Sequence, residues 1–136
     1  MHKVDTIYLD GMAFEAKVGN HNVRMDAGID AGGNDSGASP KRLLLAGLAG
    51  CSGIDVVSIL NKMKVDFSDL SISTEANLTE EHPKYYDKVK IIYKVKLAEE
   101  DQPKMQKAVD LSVEKYCGVM EMFRRFAEVS VEIIYL

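Results

Sequence analysis

Apolar and polar residues alternate along the first part of the chain. The alternation predicts two β-strands, over Val4 to Leu9 and over Met12 to Val18, and the Asp10-Gly11 dipeptide between them suits a tight hairpin turn. A third strand is predicted from Asn22 to Ala27. The amino-terminal part is therefore expected to form a β-meander.

A long apolar segment follows a loop that is rich in glycine, asparagine, aspartate and serine. Ser39 suits a helix N-cap and Pro40 the first helical position, and no breaker interrupts the pattern until about Met63. This helix is apolar on all sides from Leu43 to Leu60. One small sheet cannot easily cover it, so the pattern favours a second layer from a partner subunit.

The second half of the chain repeats the strand and helix patterns. Residues Phe67 to Thr79 and Tyr85 to Leu97 alternate and predict a long hairpin, and Val129 to Leu136 predicts a final strand. Between them, helical spacing predicts one continuous helix that begins near Gln102-Pro103 and carries Met105, Val109, Ser112, Tyr116, Val119, Met120, Phe123 and Ala127. The predicted order is βββ-α-ββ-α-β, an α+β fold in a single domain that covers residues 1–136.

Composition excludes several classes of partner. The formal charge is −4, and the lysines are scattered among acidic residues, so a nucleic-acid partner is not expected. The first residues, MHKVDTIYLDG, lack the apolar core of a signal peptide. Polar residues and three glycines inside the apolar helix favour a buried helix over a membrane span. We therefore expect a cytoplasmic protein with no membrane partner.

The two cysteines are the candidate reactive groups. A reducing cytoplasm argues against a structural disulfide, so Cys51 and Cys117 are predicted to be either free thiols that fill the core or a redox pair. Each is expected in the middle of a long helix, and a sulfenic acid on one thiol can condense with the other if the helices meet there. The three histidines have no ligand spacing to one another or to a cysteine, so neither a metal nor a cofactor is expected.

Two cysteine-centred motifs carry a family resemblance. The segments SPKRLLLAGLAGCSGIDVVSILNKM and AVDLSVEKYCGVMEMF, with NVRMDA upstream, resemble the OsmC/Ohr family, and specifically its YhfA-like branch. The resemblance covers nearly the whole chain. It implies an intertwined homodimer in which two central helices are wrapped by antiparallel sheets from both subunits.

The resemblance also implies a chemistry for the thiols. In the family, the first cysteine reduces an organic hydroperoxide or hydrogen peroxide and becomes a sulfenic acid. The second cysteine resolves it to a disulfide, which an external dithiol reduces. By match, Cys51 is the peroxidatic cysteine and Cys117 the resolving one, in a thiol peroxidase of oxidative-stress defence.

The chain departs from the family pattern around the first cysteine. Peroxidatic members hold the thiolate with an arginine from the amino-terminal strands and a glutamate about ten residues before the cysteine. Here Lys41 and Arg42 occupy that second position, and Arg24 is the candidate for the strand arginine. These departures leave open an alternative, a non-enzymatic redox-sensing or small-molecule-binding dimer with the cysteines in packing roles.

Overall fold

The computed structural model describes all residues from Met1 to Leu136. Two compact units can be distinguished, Met1–Leu44 and Leu45–Leu136. Together they contain six strands and three α-helices, with the architecture of an α+β protein as the sequence predicted.

The first unit contains the predicted meander. Strands β1 (Asp5–Tyr8), β2 (Phe14–Val18) and β3 (His21–Met25) form an antiparallel sheet in chain order. The loop that follows is organised by Asp26, whose side chain is buried. Its carboxylate accepts hydrogen bonds from the backbone N–H groups of Ala27, Asn34 and Ser36 and from the Ser36 hydroxyl at 2.6–3.2 Å.

The predicted long helix is confirmed as α1 (Pro40–Lys62). Its buried residues are Leu48, Ser52, Val56 and Leu60, a spacing of four that places them on a single face. Other faces expose apolar side chains, and Ile54 is 73% exposed. The single chain therefore covers one face of a helix that is apolar on all sides.

By length and composition alone, α1 also meets the requirements of a membrane span. Its best 18-residue window has a mean hydropathy of 2.0, and 22% of that window is buried. One such helix is weak evidence for a span, because core helices of water-soluble proteins have the same composition.

The second unit carries a sheet of β4 (Phe67–Leu78), β5 (Tyr86–Leu97) and β6 (Glu128–Tyr135), in that order. Strands β4 and β5 pair antiparallel as predicted, but β6 pairs with β5 in parallel, so this sheet is mixed instead of antiparallel throughout. The reason is the helical crossover between β5 and β6, which returns the chain to the end of the sheet where β5 began.

The crossover differs from the predicted continuous helix. It consists of α2 (Gln102–Leu111), a π-helical turn (Ser112–Tyr116) and α3 (Gly118–Arg124). Cys117 lies between the last two with an extended backbone (φ −77°, ψ 102°). The chain contains no proline here to signal the break, and Gly118 is the nearest residue of low helix propensity.

The core of the second unit lies between its sheet and its helical segments. Fully buried side chains from every layer meet there: Leu48, Val56, Leu60, Ile91, Tyr93, Val95, Met105, Val109 and Met120. Tyr116, which the helical spacing assigned to the core, is instead 53% exposed, because the π-helical turn changes the register at this point.

Candidate functional site

Two helical segments bring the cysteines together. Cys51 lies in the middle of α1, and Cys117 caps α3, where its sulfur accepts a hydrogen bond from the N–H of Met120 at 3.3 Å. The two Sγ atoms and a carboxylate oxygen of Asp55 all lie within 4.8 Å of one another. The prediction that Cys117 lies in the middle of a helix was wrong, whereas the juxtaposition required of a redox pair is present.

The two thiols differ in access to solvent. Both are free, Cys51 half-buried and Cys117 only 3% exposed. The pKa of the Cys117 thiol is raised to about 11, chiefly by burial, and the neighbouring Cys51 and Asp55 act in the same direction. The N–H of Met120 opposes this rise by donating to the sulfur. At neutral pH, Cys117 is therefore a protonated thiol.

Asp55 occupies the position that places its carboxylate beside both sulfurs. It follows Cys51 by one turn of α1, so the two side chains lie on the same helix face. The hydroxyl of Ser112 donates a hydrogen bond to its Oδ2 atom at 3.2 Å. The carboxylate is thus oriented by a residue from the π-helical turn.

A chain of three buried hydroxyls extends from Asp55 into the core. The Oγ atoms of Ser112 and Ser52 are 2.8 Å apart, and the Ser52 Oγ is 2.5 Å from the hydroxyl of Tyr93. All three residues are fully buried. Each hydroxyl has a single proton to donate. If Ser112 donates to the ionised carboxylate, then Ser52 donates to Ser112 and Tyr93 donates to Ser52.

This hydroxyl chain connects the thiol site to the sheet. Burial raises the pKa of Tyr93, and the nearby Cys117 and Asp55 contribute in the same direction, while the hydrogen bond to Ser52 lowers it. Tyr93 is therefore a neutral donor at physiological pH. Sequence reasoning missed this chain, although its signal was present, since Ser52 and Ser112 stand at core-facing helix positions where an unpaired hydroxyl is costly.

Arg24 belongs to a different hydrogen-bond cluster. It lies in β3 of the first unit, is exposed, and its Nε donates to the Ser36 Oγ at 3.1 Å. Ser36 in turn donates to Asp26. The Arg24 side chain is thus hydrogen-bonded to the loop that Asp26 organises, while Lys41 and Arg42 are exposed in the first turn of α1.

Three potential metal ligands meet at the thiol site, although the histidine spacing predicted none. Cys51, Asp55 and Cys117 each offer one donor atom to the cluster. The sequence did not indicate it because its members come from two helical segments that are remote along the chain. Sulfur and carboxylate oxygen are a donor set that suits a thiophilic divalent cation.

The chain is similar to known proteins over most of its length. Residues 32–132 match the family model described as OsmC-like protein. Protein YhfA of Escherichia coli strain K12 is 30% identical over 124 residues, which is 90% of each chain.

Solved structures share the fold. A hypothetical protein from Aquifex aeolicus superposes with a TM-score of 0.86 at 26% identity, covering 100% of this chain and 96% of that one. An organic hydroperoxide resistance protein from Legionella pneumophila has a TM-score of 0.69 at 18% identity, covering 98% of both chains, and shows likeness of fold alone. On the family model and the YhfA match together, the chain belongs to the OsmC-like protein family.

Proposed function

We propose that this protein is a thiol-dependent peroxidase that reduces organic hydroperoxides or hydrogen peroxide in oxidative-stress defence. The observation that carries the proposal is the approach of the Cys51 and Cys117 sulfurs to within 4.8 Å. A disulfide requires sulfurs about 2.05 Å apart, so the thiols have less than about 3 Å to close. Proteins named for hydroperoxide resistance occur on the same fold, which supports the same chemistry.

The unequal burial of the thiols supports Cys51 as the peroxidatic residue. Its thiolate attacks one peroxide oxygen, an S–O bond forms, and the O–O bond breaks. Cys51 keeps the transferred oxygen as a sulfenic acid. The departing alkoxide or hydroxide takes up a proton and leaves as an alcohol or water. Cys117 is less suited to this first step, because it is almost fully buried and its raised pKa keeps it protonated.

Cys117 is the residue that we propose resolves the sulfenic acid. Its sulfur attacks the oxidised sulfur of Cys51, the disulfide forms, and hydroxide leaves and is protonated to water. The Cys117 proton is lost in this step and ends on the departing hydroxide, and the Asp55 carboxylate, within 4.8 Å of the sulfur, is close enough to relay it through one water. An external dithiol then supplies two electrons and two protons and restores both thiols.

Arg24 remains our candidate for the cation that the family uses at the thiolate. Its guanidinium is exposed and makes one hydrogen bond through Nε, to Ser36. The remaining donors of the guanidinium are available to an anion. An Arg24→Lys variant tests the role, since it keeps the charge and loses the planar fork.

We further propose a homodimer in the cytoplasm, in which a second copy covers the outer face of α1. An open groove of about 750 Å³ runs along this face and is lined by Ala49, Gly50, Gly53, Ile54, Val57, Ser58, Asn61, Leu70, Ser71 and Ile72. A Cβ atom added at Gly47 or Gly50 would meet nothing within 4 Å. Helical glycines with open space above them permit close approach of another backbone, which supports a partner helix at this face.

Steady-state consumption of cumene hydroperoxide tests the peroxidase proposal. With dithiothreitol or a lipoylated protein as reductant, wild type is expected to turn over, Cys51→Ser to fall to background, and Cys117→Ser to become sensitive to overoxidation. Equal background rates in wild type and Cys51→Ser would exclude the enzyme and favour the alternative, a redox-sensing or small-molecule-binding dimer.

A further inference from the structure

We propose that the reduced thiol site is also a metal site, in which Cys51, Cys117 and Asp55 bind Zn²⁺. The three donor atoms lie within 4.8 Å of one another. Zinc takes thiolate sulfur at about 2.3 Å and carboxylate oxygen at about 2.0–2.2 Å in tetrahedral geometry, which corresponds to donor atoms roughly 3.5–4 Å apart. The observed cluster needs only a small contraction to reach this arrangement.

The surroundings of the cluster resemble a prepared metal site. Ser112 donates to the carboxylate of Asp55 and is itself held by Ser52, so the oxygen ligand is oriented before a cation arrives. The N–H of Met120 donates to the Cys117 sulfur, an interaction that favours the thiolate form of a ligand. Two of the three ligands are therefore held by hydrogen bonds from neighbouring residues.

The number of protein ligands determines what the cation does there. Three ligands leave the fourth tetrahedral position to water, as in catalytic zinc sites, whereas structural sites usually have four protein ligands. The two thiol protons are released to solvent when the metal binds. A metal that holds both sulfurs prevents Cys51 from attacking a peroxide, and a disulfide removes two of the three ligands. Zinc binding and thiol oxidation are thus mutually exclusive.

This inference does not depend on the proposed peroxidase activity, because zinc binding requires only the reduced thiols. Its test begins with reduced, chelator-treated protein in which Co²⁺ replaces Zn²⁺ as a spectroscopic probe. Wild type is expected to develop thiolate-to-cobalt charge-transfer absorbance at one equivalent, and added Zn²⁺ is expected to remove it. Protein oxidised to the disulfide is expected to show no such absorbance. This comparison of reduced with oxidised wild type requires no substitution, so it does not depend on a variant folding.

Variants then assign the ligands. Cys51→Ser and Cys117→Ser should each weaken the charge-transfer band, and Asp55→Asn, which is nearly isosteric, should lower zinc affinity at least about tenfold. Ser112→Ala should weaken binding through the orientation of Asp55, and the exposed Asp87→Asn is the matched control. Absence of the charge-transfer band in wild type, or zinc affinity that Asp55→Asn leaves unchanged, would overturn the proposal.

Discussion

The Sγ atoms of Cys51 and Cys117 lie within 4.8 Å of each other, although one belongs to α1 and the other caps α3. This relationship depends on the break in the crossover helix. In an uninterrupted helix, Cys117 would have helical backbone angles and its sulfur would have no N–H of Met120 to accept from. The irregular backbone thus determines where the second thiol lies.

Cys117 is predicted to resist alkylation at neutral pH. With a pKa of about 11, its thiolate fraction is roughly a hundredfold or more below that of an ordinary thiol, and burial restricts access as well. Iodoacetamide modification of reduced, chelator-treated protein, followed by peptide mass spectrometry across a pH series, measures this directly.

Removal of the Asp55 charge provides a variant whose Cys117 alkylation profile can be compared with that of wild type. Asp55→Asn should lower the pKa of Cys117, because the carboxylate raises it, and should move the alkylation profile to lower pH. Asp87→Asn on the exposed side of β5 should leave the profile unchanged. Alkylation of Cys117 in native wild type as fast as in the urea-unfolded protein would contradict the assignment.

The buried hydroxyl chain is predicted to contribute to stability. Tyr93→Phe removes the donor at the inner end and leaves the Ser52 oxygen without that partner, at a cost of about 1–3 kcal/mol in the free energy of unfolding. Urea denaturation measures the change. Tyr116→Phe, at an exposed tyrosine, is the control and should be nearly neutral. Equal midpoints for the two variants would show that the chain has no net stabilising effect.

The regular elements were predictable because they depend on local patterns. The alternation over Tyr85 to Leu97 and the unbroken apolar run that follows Pro40 correspond closely to β5 and α1. The parallel pairing of β6 was not predictable from alternation, since register and direction are set by the crossover connection and not by residues within the strand.

The site was predictable only in part. The cysteine motifs identified both thiols, but the spacing around Cys117 fits a continuous helix equally well and conceals the π-helical turn. Ser52, Ser112 and Tyr93 form a chain because three separate elements meet, and no local pattern encodes that meeting. The metal ligands were missed for the same reason.

Acid is predicted to weaken the first unit through Asp26. Hydrogen bonds from Ser36, Asn34 and Ala27 lower the pKa of this carboxyl, Ser36 contributing most, although burial opposes them. A lowered folded pKa means that the stabilisation is fully present above the unfolded value of about 3.9 and is lost as pH falls through the folded value.

The comparison of Asp26→Asn with wild type measures this contribution. The variant should be less stable than wild type near neutral pH, and the difference should shrink as the pH falls below about 4. Thermal unfolding at several pH values provides the measurement, with the exposed Asp30→Asn as control. A stability difference that is independent of pH would contradict the assigned role.

Bulk at Gly50 is predicted to disrupt the proposed dimer. Gly50 lines the groove on α1, and an added Cβ meets no atom of its own chain, so Gly50→Leu should leave the fold intact. It should raise the dimer dissociation constant at least about fivefold, since overpacking a close contact costs about 1–3 kcal/mol. Sedimentation velocity over a concentration series measures this constant. Gly118→Leu is the matched control, because Gly118 is another helical glycine with open space above it. If Gly50→Leu associates as wild type does, the dimer interface lies elsewhere.

Single-turnover oxidation tests the central claim most directly. Reduced protein is mixed with one equivalent of cumene hydroperoxide and its intact mass and peptides are measured. The account predicts one intrachain disulfide between Cys51 and Cys117 in wild type, and a dimedone-trapped sulfenic acid on Cys51 in Cys117→Ser. Two unmodified thiols after exposure, or a sulfenic acid trapped first on Cys117, would contradict it.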